Sequence, residues 1–79
     1  MSSLAVERAN LAKSDLDIAE GERRIQDQTC LVERLRRNGA ATDTAEQLLH
    51  NLQQTLTVWK THRDLILQEI KRLEQAPAC

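Results

Sequence analysis

The residues with chemistry to offer are few. They are His50, His62, Cys30, Cys79, a run of arginines, and the string His62-Arg63-Asp64-Leu65. That string matches the start of the protein-kinase catalytic loop, whose aspartate accepts the proton of an attacking hydroxyl. The asparagine that the loop needs to hold its metal is replaced by Glu69, and the glycine-rich and Asp-Phe-Gly elements are missing. Periodicity places the string inside a helix, the wrong context for such a loop. The match is coincidental.

Metal chemistry fares no better. His50 and His62 are too far apart to share one helical turn. A chain folded back on itself would bring Cys30 towards His50, but zinc wants four ligands, or three and a water. Cys30 is therefore expected to act as a small packing residue. Cys79 is expected to be a solvent-exposed thiol able to cross-link two chains on oxidation, and it does not fit a prenylation box. Arg23, Arg24, Arg34, Arg36 and Arg37 could meet phosphate only if they lined one face. Glu20, Glu22, Asp27 and Glu33 are interleaved with them, so a solvated charged face is expected and nucleic acid is not. No catalytic, cofactor-binding or metal-binding residue is assigned, and no small-molecule ligand is implied.

What remains is the chain's periodicity. Leu4, Leu11, Ile18, Ile25 and Val32 recur every seven residues, a helical stripe over five repeats. The positions three residues on are Glu7, Ser14, Gly21, Gln28 and Leu35, so this seam is narrow and partly polar. In the second half, Ala45, Leu52, Trp59, Ile66 and Leu73 form one series, and Leu49, Leu56, Arg63 and Ile70 the other. Their alternating steps of four and three fit coiled-coil-like packing.

Between the halves, Asn38-Gly39 suits a helix C-terminus, because glycine reaches the left-handed conformation without a Cβ clash. Arg34, Arg36 and Arg37 precede it, where cations meet the negative end of the helix dipole. Asp43 with Glu46, or Thr44 with Gln47, has the spacing of a capping box for a second helix. Ser2 or Ser3 is expected to cap the first helix, and Pro77 to stop the second.

The expectation is an all-α, antiparallel two-helix hairpin forming one domain over residues 1–79. The helices would span about 3–38 and 44–75, with a turn at 39–43 and a tail at 76–79. A reversal centred in that turn sets Val32 against Leu49 and Leu52, Ile25 against Leu56 and Trp59, Ile18 against Ile66, and Leu11 against Ile70. Gly21 falls near Trp59 and Arg63, where its missing side chain makes room for the indole. Asp17, Glu20 or Glu22 could reach Arg63 across the hairpin. Its stem is otherwise expected to pack while its head meets water. Glu20 with Arg24 and Glu33 with Arg37 have the spacing of supporting ion pairs.

Composition bounds the function. A chain of 79 residues is short of core unless something adds to it, and only 1% of it is aromatic. Eleven basic and twelve acidic residues leave a net charge of −1, with no overall field to draw in nucleic acid or an anionic membrane. No apolar run approaches a bilayer span, and no secretory signal or disulfide framework is visible, so a cytoplasmic protein is expected. Leu48, Val58, Leu65 and Leu67, with Leu16 and Leu31, lie off the seams. They are expected to widen the apolar face towards a second hairpin, giving a homodimeric four-helix bundle.

Three strings together carry a resemblance: Ile18-Ala19-Glu20-Gly21-Glu22-Arg23-Arg24-Ile25, Asp43-Thr44-Ala45-Glu46 with Leu48-Leu49, and His62-Arg63-Asp64. Over roughly residues 11–70 the chain resembles a group of short uncharacterised α-proteobacterial proteins, chiefly from rhizobia. This chain carries Asp17 where members often have histidine. The resemblance implies a small helical protein and transfers no activity. The reading is thus a non-catalytic interaction module that self-associates or docks on a partner helix. The alternative is a nucleic-acid-binding regulator built as a dimeric hairpin bundle.

Overall fold

A computed structural model describes residues 3–75. Two helices account for nearly all of them: α1 (Leu4–Arg37) and α2 (Asp43–Glu74). They lie side by side as a hairpin in a rod measuring 67 × 16 × 15 Å. The expected boundaries hold to within a residue. Pro77 and Cys79 lie outside the described residues.

Each helix end has a local cause. Ser3 caps α1, its hydroxyl oxygen accepting from the Val6 N–H at 3.1 Å. At the other end the Gly39 N–H donates to the Arg36 carbonyl at 3.1 Å, and the Ala40 N–H to the Leu35 carbonyl at 2.9 Å. This pair of bonds is the Schellman motif, which satisfies two carbonyls that the helix leaves open. It requires a left-handed residue, and Gly39 supplies one at φ 69°.

The start of α2 departs from expectation. Thr42, not Asp43 or Thr44, is the N-cap, and its side chain makes no capping bond. Its carbonyl accepts from the Glu46 N–H at 2.8 Å. Glu46 therefore sits one position too late to close a capping box. Its carboxylate instead pairs with Arg36 across the turn. A second tie close by is the Gln28 side-chain amide, which donates to the Ala45 carbonyl at 2.8 Å.

The seam is the one read from the heptads, except that Trp59 sits at its edge and stays 36% exposed. On α1, Val32 is buried and Leu4, Leu11, Ile18, Ile25 and Leu35 are half-buried. On α2, Ile66 and Ile70 are buried, and Ala45, Leu49, Leu52, Leu56 and Leu73 are half-buried. The polar companions on α1 also face inward, since Glu7, Ser14 and Gly21 are all buried. No side-chain nitrogen or oxygen of the described residues is fully buried without a partner, so the Glu7 carboxylate keeps contact with water.

At Gly21 the side chains of α2 come right up to the backbone of α1. A Cβ there would lie 3.2 Å from Cζ3 of Trp59 and 3.4 Å from Cδ1 of Leu56. The glycine in mid-helix costs α1 about 1 kcal/mol against alanine, and the gap it leaves is filled by the indole.

The two glycines give opposite expectations for substitution. Gly39→Ala meets no atom within 4 Å, so its cost is conformational, about 1 kcal/mol from the left-handed backbone. Gly21→Ala should be nearly neutral, because better helix propensity offsets a tight contact. Gly21→Leu must displace the indole and should cost about 2 kcal/mol, with a red shift of Trp59 emission. Urea unfolding of the three variants checks this. A Gly21→Leu variant as stable as the parent would contradict the packing.

Candidate interaction surface

The heptad that builds the seam also fixes what lies on either side of it. One line of α1 carries Arg8, Asp15, Glu22 and Arg36, and the line of α2 beside it carries Glu46, Lys60 and Glu74. These two lines meet in ion pairs: Arg8–Glu74 at 3.5 Å, Glu22–Lys60 at 3.8 Å, and Arg36–Glu46. Asp15 pairs with Arg63 at 2.5 Å. All the inter-helix ion pairs among the described residues lie on this one flank. Reading the heptad only for its apolar positions misses them. The same spacing applied to the charged residues would have found them.

Arg63 therefore has a partner, and it is none of the carboxylates expected. Lys13 holds Asp17, Arg23 and Arg24 share Glu20, and Lys60 takes Glu22. Asp15 wins because it lies on the line of α1 that borders Arg63. The pair is far from buried, with side-chain exposures of 35% for Arg63 and 53% for Asp15. The packed stem with a head in water is the reading the geometry supports.

The other flank is different in kind. Leu48, Val58 and Leu65 lie along it on α2 at 49%, 64% and 56% exposure. The half-buried Leu31 of α1 borders it. Trp59 is 36% exposed and lines an open cleft of about 290 Å³ with Asn10, Lys13, Ser14, Asp17, His62 and Ile66. No ion pair crosses between the helices here, among the described residues. Leu67 is the exposed apolar residue that falls on the charged flank, Leu16 lies on the outer surface of α1, and Val6 is exposed one heptad before the cleft residue Lys13.

The remaining chemistry-bearing residues stay apart. Cys30 is exposed and free, not the packing residue expected. Its heptad position explains this, since it falls opposite the seam, between Gln28 and Val32. His50 is exposed on α2, and no group of three or more potential metal ligands occurs among the described residues. His62 lines the apolar-flank cleft. Of the basic run, Arg23, Arg24 and Arg36 are held by carboxylates. Glu20 pairs with Arg24 at 3.4 Å as expected, whereas Glu33 and Arg37 form no ion pair. Among the described residues no helix is long and apolar enough to cross a membrane.

The shortest charged contact within one helix joins Arg72 to Glu69, with Nη2 and Nε donating to the two carboxylate oxygens at 2.5 and 3.0 Å. This two-pronged bond holds the Glu69 carboxyl below its ordinary range and raises Arg72.

Compared with family models, curated proteins and solved structures, the chain matches none. The surface itself must carry the functional argument.

Two outcomes are expected. Arg63→Met keeps the aliphatic stem and removes an exposed pair, so it should change stability by less than about 1 kcal/mol. A larger loss in urea unfolding would mean that the pair holds the register. By NMR titration, Glu69 should titrate below the ordinary glutamate value, and Arg72→Gln should move it upwards. A lowered folded-state value favours the folded chain above the ordinary glutamate range, and that contribution fades as pH falls through the lowered value. A Glu69 midpoint unmoved by Arg72→Gln would contradict the assignment.

Proposed function

We propose that this chain is a small, non-catalytic interaction module that acts by pairing with a second copy of itself. Two hairpins joined along their apolar flanks would make a coiled-coil-like four-helix bundle. The same reading places it in the cytoplasm, where an exposed thiol such as Cys30 stays reduced.

One observation carries the proposal. Leu48, Val58 and Leu65, three of the exposed apolar side chains left over from the seam, share the flank without inter-helix ion pairs. Magnitudes support it. A compact monomer of this mass, 9.0 kDa, exposes about 4,900 Å². This chain exposes 6087 Å². The excess, roughly 1,200 Å² by that scaling, follows from the 67 × 16 × 15 Å rod shape, and one long side of such a rod offers the ~800 Å² per partner that a stable interface removes. Among the described residues the buried hydrophobic core is limited to Val32, Ile66 and Ile70, and no large side chain is fully buried. A helical hairpin with so little interior gains most from a second layer.

Sedimentation equilibrium at tens of micromolar should give twice the chain mass. Val58→Glu or Leu65→Glu should return it to one chain mass, while Leu16→Glu, on the outer surface, should leave the dimer intact. A parent chain that sediments as a monomer at these concentrations contradicts the proposal.

A further inference from the structure

We infer that the two copies meet along α2 in antiparallel register, with Leu48 of each packed on Leu65 of the other and the two Val58 side chains flanking the two-fold axis. This deepens the self-association proposed above and rests on it.

The argument begins with where the side chains lie. Leu48, Val58 and Leu65 share one strip of α2 with Asn51, Thr55 and His62. Leu48 and Leu65 are the outer apolar members of that strip. A two-fold contact makes every pairing reciprocal, because the same patch serves both copies. Setting Leu48 on the other copy's Leu65 then leaves no freedom in the rest of the register. Thr55 meets Val58, and Asn51 meets His62.

Each forced pairing is chemically sound. Thr55 turns its hydroxyl onto the Asn51 carbonyl at 3.0 Å, so its methyl is available to Val58 of the second copy. The Asn51 side-chain oxygen accepts from the Gln47 amide at 3.0 Å. Its NH₂ can therefore donate to a ring nitrogen of the second copy's His62. Beyond these, Glu69 comes to Thr44 in the first turn of the opposing α2, where backbone N–H groups and the positive end of the dipole favour a carboxylate.

The parallel arrangement uses the same apolar residues but is worse in each polar contact. It stacks Glu69 on Glu69, Arg72 on Arg72 and His62 on His62, and it aligns the two α2 dipoles. Like charges set directly opposite one another are destabilising.

The two arrangements separate cleanly in cross-linking. Leu48 and Leu65 lie roughly 25 Å apart along α2 at 1.5 Å per residue. In antiparallel register each Leu48 is that far from its own mate. The test uses Leu48→Cys and Leu65→Cys as separate chains, both carrying Cys30→Ser and Cys79→Ser, with sedimentation of the unmodified chain run beside them. The two positions are half exposed in the hairpin, so cysteine there leaves its seam untouched. Under mild oxidation neither variant alone should form a covalent dimer, and an equimolar mixture should cross-link in most of its mixed pairs. A covalent dimer from Leu48→Cys alone, with the parent still dimeric, overturns the antiparallel register and spares self-association. A dimeric parent with no cross-link in any mixture moves the interface off this strip. A monomeric parent removes the self-association itself.

Discussion

Two helices packed together can bury only one stripe of each. That constraint governs this molecule. The stripe of α1 is polar or absent at every second step, through Glu7, Ser14, Gly21 and Gln28, so the hairpin's interior shrinks to a narrow line. Among the described residues only Val32, Ile66 and Ile70 are buried hydrophobics. Other features offset this shortage. Gly21 lets Trp59 come close, the Schellman turn at Gly39 fixes the reversal, and Gln28 ties α1 to the first turn of α2. None of them adds much apolar burial, which is the dominant favourable contribution to folding.

The hairpin's sidedness follows from the same heptad. Once the seam is set, the flanking lines of each helix are fixed in space, and the sequence treats them unequally. One flank carries charges that meet across the groove, from Arg8–Glu74 at one end to Arg36–Glu46 at the other. Such exposed pairs contribute little to stability individually. Their collective effect is to keep that flank wet and to disfavour its burial, since desolvating ion pairs is costly. The other flank offers Leu48, Val58 and Leu65 instead. A surface divided this way directs any association to one side.

The hairpin was readable in the sequence because three independent signals agreed: the sevenfold spacing, the Asn38-Gly39 stop, and the register that set Gly21 beside Trp59. What escaped was mostly a matter of which of several near-equivalent neighbours a long side chain reaches. Glu46 had the spacing of a cap, yet Arg36 across the turn claims it. Arg63 had several carboxylates within plausible reach, and the choice of Asp15 depends on a line of α1 that only the charged heptad positions reveal. The residue type of Cys30 suggests packing, whereas its heptad position opposite the seam exposes it. The candidate surface is half legible in the sequence: the heptads show which leucines lie off the seam, but the side they share follows only from the ion-pair ladder.

If the apolar flank completes the core in a second copy, folding and association are linked, and stability must depend on protein concentration. The most direct measurement is the urea midpoint of Trp59 fluorescence over a hundredfold range of chain concentration. The account predicts a midpoint that climbs throughout, each tenfold step adding about 1.4 kcal/mol per dimer. A midpoint that stays fixed across the range would show that the narrow seam suffices by itself, and the flank would then need no partner.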